Sequence, residues 1–159
     1  IGDTQHHGGN DKAVYAYSRE ELDYWQSELS RPLASGGFGE NLTTQGIDLS
    51  ALLINQRVRI GTAVLEVSVP RQPCATFAGW LGERGWLKRW TARGDCGTYL
   101  RIISPGRIRP GDAIELDNPP SHDITMRIAF AAKMGDRALA RRVIDAGCLP
   151  AHQQNSLRT

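Results

Sequence analysis

The chain has 159 residues, 40% of them apolar and 23% charged, with a formal net charge of +2. That length holds one folded domain with a small appendage. A charge this close to neutral argues against a dedicated nucleic-acid binder, and no apolar run approaches the roughly 20 residues of a membrane helix.

The first residues are polar and rich in glycine, running through His6-His7-Gly8-Gly9-Asn10-Asp11, and a β-prone stretch follows over residues 13–17. Ser18 and Glu21 have capping-box spacing, with Tyr17 and Leu22 placed as a hydrophobic staple, so a helix begins there. Leu22, Trp25 and Leu29 share one face of it, and Pro32 ends it. Residues 35–46 are a loop with Gly36, Gly37 and Gly39 close together, which marks backbone that turns tightly or approaches something closely. Residues 57–69 read as a β-hairpin: Val58 and Ile60 alternate, Gly61-Thr62 turns, and Leu65, Val67 and Val69 alternate again. Pro70 to Pro73 break that strand just before Cys74. Residues 75–92 carry aromatic residues at helical spacing, as two short helices interrupted near Gly82 or Gly85. Strands follow over 98–103 and 113–116, separated by Pro-Gly turns. After Asn118-Pro119-Pro120 the pattern becomes helical. Asp123 is expected to cap one helix ended by Gly135, Asp136 a second ended by Gly147, and a third short helix follows Pro150.

The three cysteines, Cys74, Cys96 and Cys148, are widely and irregularly spaced and form no CxxC pair. A structural zinc site or a secreted disulfide framework is therefore not expected, and a reducing cytoplasm is the simplest location. No signal-peptide pattern opens the sequence, and because the first residue is Ile1 rather than Met, the chain is expected to begin inside a longer one.

Cys74 carries the strongest chemical signal. A thiol at a helix N-terminus, with Arg71 nearby, has its thiolate favoured and becomes a nucleophile or a soft-metal ligand. The competing reading is a small buried packing residue. Gly39-Glu40-Asn41-Leu42 can offer backbone N–H groups and the Asn41 amide to a polar ligand, or can be a plain surface loop. It lacks the endings of a Walker loop and the context of a dinucleotide fingerprint. His7, Gly8 and Gly9 fit a pocket wall better than a metal site, because adjacent histidines rarely ligate one ion. Lys12, Arg71, Lys88, Arg89 and Arg93 could supply positive charge for a phosphate. Cys96 is a second thiol candidate, and Cys148 reads as packing.

Taken in order, five pieces resemble the MOSC family, named for the C-terminal domain of molybdenum cofactor sulfurases. They are Gly2-Asp3 with His7-Gly8-Gly9 and the run 11–14, then 39–42, 70–74, 94–101 and 110–112. The tail from Ser121 is similar to the helical extension of the YiiM-like branch. The resemblance implies a mainly β fold with helical insertions: a distorted MOSC-type β-barrel over 1–118, further strands preceding it, and a small C-terminal helical extension over 119–159. It implies that Cys74 binds molybdenum or carries sulfur. Asn41 matches an asparagine beside the cofactor in the mitochondrial amidoxime-reducing component. That protein has an arginine immediately before its cysteine, where this chain has Pro73.

The expectation is a molybdenum-cofactor (molybdopterin) protein that reduces N-hydroxylated small molecules. Cys74 would be the metal ligand and catalytic residue, with His7, Gly8, Gly9, Lys12, Glu40, Asn41, Arg71 and Cys96 around the cofactor. A separate electron-donor reductase is expected as partner, neither nucleic acid nor membrane is, and a homodimer is left open. The other reading is a sulfur carrier holding a Cys74 persulfide.

Overall fold

A six-stranded sheet, curled into a half-barrel, organises the chain; the computed structural model describes residues 8–159. Its strands are β1 (Val14–Ser18), β2 (Leu42–Thr44), β3 (Arg57–Ile60), β4 (Ala63–Val67), β5 (Thr98–Ser104) and β6 (Ile114–Leu116). They lie in the order β2-β1-β5-β4-β3-β6, with β1 and β2 parallel and every other neighbour antiparallel. This is the barrel-like architecture with inserted helices that the sequence implied, although helical residues, at about 36%, outnumber strand residues, at 19%.

The β3–β4 hairpin follows its pattern closely. Val58 and Ile60 are buried while Arg57 and Arg59 face out, and Gly61 turns the chain at φ 58°. The strand β2 was not anticipated. Three residues show no useful alternation, and its parallel partner β1 lies a helix and a loop away in sequence.

Helix α1 (Arg19–Leu29) starts as its capping residues predict, with the Glu21 N–H donating to Ser18 Oγ at 3.1 Å. The Glu21 carboxylate does not return to Ser18; it accepts two hydrogen bonds from Arg93, at 3.0 and 2.7 Å. Two short helices, α2 (Ala75–Leu81) and α3 (Trp86–Arg93), are separated at Gly82 and Gly85, both left-handed. Helices of seven and eight residues do not persist alone. Here edge-to-face rings hold them: Phe77 against Phe38, Trp86 and Trp90 at 5.2, 5.5 and 5.3 Å, and Trp25 against Trp86 at 4.6 Å.

The tail forms α4 (Met126–Lys133), α5 (Arg137–Ala146) and α6 (Ala151–Asn155). Asp136 caps α5 and Gly147 closes it, as expected. The cap of α4 is Thr125 rather than Asp123: Thr125 is extended, bridges Leu53, and accepts from the Ile128 N–H at 3.2 Å. Asp123 stands clear of the helix start and pairs with Arg142 at 2.8 Å. His122 fastens this tail to the sheet. Its Nε2 donates to the Ile54 carbonyl at 2.8 Å, and its Nδ1 accepts from the Ile124 N–H at 3.0 Å. Phe130 reaches Trp90 at 5.5 Å, joining tail and inserted helices in one core.

Candidate functional site around Cys74

Beyond Val67 the chain stays extended beside β5: the Ser68 N–H donates to the Tyr99 carbonyl and the Tyr99 N–H to the Val69 carbonyl, at 3.0 and 3.2 Å. The Pro70-to-Pro73 segment then leaves the sheet and ends at Cys74, the N-cap of α2. The Cys74 Sγ accepts from the Phe77 N–H at 3.4 Å. Cys74 is half-buried, whereas Cys96 and Cys148 are 1% and 8% exposed. Of the three thiols, only that of Cys74 is open to a ligand. Burial pushes the Cys96 thiol up to about 12, so it stays protonated and unreactive at neutral pH. Cys148 packs in the tail, as read from the sequence, and its carbonyl accepts from Asn55 Nδ2 at 2.9 Å.

Arg71 anchors the approach to Cys74. Its Nη1 donates to the Phe38 carbonyl, and its guanidinium lies 4.1 Å from the Phe77 ring centroid and 4.7 Å from that of Tyr15. A cation held between ring faces and a carbonyl is rigid, and an arginine stays charged there. Tyr15 in turn donates its hydroxyl to the Cys96 carbonyl at 2.7 Å and packs on Tyr99 at 5.1 Å. Gly97, at φ 67°, makes this closeness feasible, since a Cβ there would run into the Ala16 carbonyl and the Tyr17 ring. Lys12 lies over the other part of this aromatic pair, its Nζ 5.6 Å from the Tyr99 centroid.

The remaining candidates divide by what their polar atoms do. Asn41 is exposed and clips β2 to β1: its Oδ1 accepts from the Tyr15 N–H, and its own N–H donates to the Tyr15 carbonyl, both at 2.8 Å. The side-chain NH2 has no partner among the described residues. Glu40 is turned inward and accepts from the Gly36 and Phe38 N–H groups and the Thr43 hydroxyl. It shapes the glycine loop from within. Gly8 and Gly9 are exposed at φ 116° and 86° and lead into the 3-10 turn Asn10–Lys12; His7 lies outside the described residues. Asp11 ties that turn to the sheet through Arg101 at 3.0 Å and through the Ser68 hydroxyl. Arg89 and Arg93 pair with Glu28, Glu83 and Glu21 instead, Lys88 is exposed on α3, and Lys12 and Arg71 lie over the Tyr99 and Tyr15 rings. The sequence reading missed Tyr15 and Tyr99. Their register pairing between β1 and β5 is what makes them a platform, and pairing is invisible before the strands are aligned.

The MOSC domain family model matches residues 3–115. The chain belongs to the MOSC family. It is 38% identical over 127 residues to the uncharacterised protein YflK of Bacillus subtilis, covering 80% of this chain and 58% of YflK. It is 33% identical over 119 residues to a protein of Gibberella moniliformis named "Reductase", covering 72% of this chain and 21% of that one. The crystal structure of YiiM from Geobacillus stearothermophilus superposes with a TM-score of 0.83 at 28% identity, over 95% of this chain and 79% of that chain. The likeness to YiiM therefore extends through the helical tail. The chain spans little more than half the length of YflK.

MOSC domains are associated with molybdenum cofactor sulfurases, and the donor chemistry here fits such a group. Among the described residues no three His, Cys, Asp or Glu side chains gather to hold a metal ion. The half-buried Cys74 thiol is a soft donor of the kind molybdenum takes. The exposed Asn41 amide and the Lys12 charge are polar groups of the kind a pterin and its phosphate require, while the Arg71 guanidinium is taken up by the Phe38 carbonyl and the aromatic rings. Among the described residues no helix is long and apolar enough to cross a membrane.

Proposed function

We propose that this MOSC protein binds the molybdenum cofactor through Cys74 and reduces N-hydroxylated small molecules. The observation that carries the reading is the setting of Cys74: the one accessible thiol of the chain, at the N-cap of a helix locked by aromatic packing, beside a fixed guanidinium. The "Reductase" label of the fungal relative supports the reaction class. When bound, the cofactor supplies the two-electron chemistry. An N–OH bond plus two electrons and two protons gives N–H and water, so an electron donor is required.

The chain's own part is binding and orientation. Cys74 supplies a thiolate to the metal, Asn41 donates its amide N–H to the pterin, and Lys12 offers charge to the phosphate. Arg71 holds the Pro70-to-Cys74 segment to the glycine loop through Phe38, which fixes where Cys74 stands. His7, Gly8 and Gly9 would form a neighbouring wall. The division into a barrel over 1–118 and an extension over 119–159 is part of the same reading, as is a cytoplasmic location.

Molybdenum and pterin content, measured in protein from cofactor-replete cells, tests this beside Cys74→Ala. Near-stoichiometric metal in the wild type and none in the variant is the expected result. Metal absent from both would sink the reductase reading. A persulfide on Cys74, read by mass spectrometry, would then establish the sulfur-carrier alternative, which the accessibility of this single thiol also suits.

A further inference from the structure

Charge is unevenly shared along the chain. Residues 119–159 hold six Arg and Lys against three Asp, while residues 1–118 hold 13 against 14 Asp and Glu. Much of the tail's excess lies along one trough. Two open cavities of about 450 and 600 Å³ share Arg137, Ala140 and Leu157 in their walls. Lys133 and Arg137 line the first, and Arg141 and Arg158 extend the second; no Asp or Glu side chain lines either one. The contrast within α5 is informative. Arg142 is neutralised by Asp123 at 2.8 Å, whereas Arg137 and Arg141 have no carboxylate partner among the described residues. Lys133 donates to the Gln153 carbonyl at 3.2 Å and to the Ser156 hydroxyl, both uncharged. Burial, and then the Lys12 ammonium, hold its pKa below the usual lysine value. Gln72, exposed and two residues before Cys74 in the chain, also lines the first cavity.

These cations do not converge as they would on one small anion. Arg137 and Arg141 are one helical turn apart along α5, and Arg158 lies on the last turn of the chain. A floor of Ala140, Ile144 and Leu157 runs beneath them. Spaced charges over an apolar floor suit an extended acidic surface, steered in by the field and seated on the apolar strip. We propose that this trough is the docking surface for an acidic electron-donor protein, whose carboxylates pair with Arg137, Arg141 and Arg158 and whose edge reaches Gln72. The purpose of the docking rests on the reductase reading; the charge complementarity does not.

The test is a fluorescence-anisotropy titration of the full chain with a labelled flavodoxin, an acidic electron-carrying protein, at about 20 and about 200 mM salt. Saturable binding should weaken by at least about tenfold at the higher salt, and by about tenfold in Arg137→Glu/Arg141→Glu. Arg158→Glu should weaken it less. Arg109→Glu, on the exposed turn between β5 and β6, should leave it unchanged, and thermal melts check that each variant folds. No saturable binding, or an equal loss in Arg109→Glu, overturns the docking surface. Because the readout needs no turnover, a chain that binds but reduces no N-hydroxylated compound would overturn the reductase reading alone. A chain that reduces such compounds with a chemical donor yet ignores flavodoxin would overturn the trough alone.

Discussion

The two ends of the sheet are finished differently. Around Cys74, Phe38, Phe77, Trp86 and Trp90 are each no more than 1% exposed and meet edge to face. At the other end, Ile102 on β5 and Leu116 on β6 stay 49% and 45% exposed. Yet these two belong to the same face as the core: Ile102 lies opposite Leu65, and Leu116 opposite Val58, which are 1% and 2% exposed. The sequence pattern is equally apolar at both ends, so pattern does not explain the difference. What differs is cover, and it is local: along the row Ile102–Leu65–Val58–Leu116 the two middle side chains are buried while the two outer ones are open, whereas the aromatic rings packed with α2 and α3 leave no such gap near Cys74.

The sharpest way to break this contrast is Trp90→Ala. It removes the ring that touches both Phe77 and Phe130 and should cost about 3–5 kcal/mol in urea unfolding. A loss below about 1 kcal/mol would mean the aromatic cluster is not what holds α2 and α3.

Asp95 probes the same end by charge. Burial raises its pKa from 3.8 to about 6, with the nearby Glu21 and Asp48 adding to the rise. Between about pH 4 and 6 the folded chain thus binds more protons than the unfolded one, and stability falls as pH rises through that window. Asp95→Asn keeps an oxygen for the Gly97 N–H, which the wild type donates at 3.1 Å. The variant should be more stable than wild type by up to about 3 kcal/mol at pH 7.5 and nearly equal to it below pH 4, read from urea midpoints at the two pH values. An advantage that persists at pH 4 would remove charge as the cause.

The smallest effects belong to the open end. Ile102→Ala and Leu116→Ala should each cost less than about 1 kcal/mol, against about 2–5 kcal/mol for Leu65→Ala directly across from Ile102. Equal losses at positions 65 and 102 would show that the exposed residue is buried in solution.

Local patterns were legible where the physics is local. The Ser18 and Asp136 caps, the Gly61 turn and the breaks at Gly82 and Gly85 need only neighbours along the chain, and each stands where it was read. The cap of α4 shifted from Asp123 to Thr125 because the bridge to Leu53, far away in sequence, decides where that helix begins. The strand β2 escaped for a similar reason, since its partner supplies its identity. Within the candidate site, Cys74 was readable from its Pro-flanked position before a helix. The inward turn of Glu40 was not, because a carboxylate that serves a loop looks the same in sequence as one that serves a ligand. Arg71 likewise shows its rings and its Phe38 carbonyl only once β1, the glycine loop and α2 have met.

Asn41, an exposed residue, can use the two ends of one amide for two purposes: the oxygen holds a strand, and the nitrogen has no partner among the described residues. An alanine scan would merge these, since removing the whole group frees the Tyr15 N–H along with any ligand contact. Aspartate is the informative replacement. It is nearly the same shape, keeps the acceptor that joins β2 to β1, and turns the donor end of the group into a charged acceptor, so the strand contact survives while recognition at the other end is reversed.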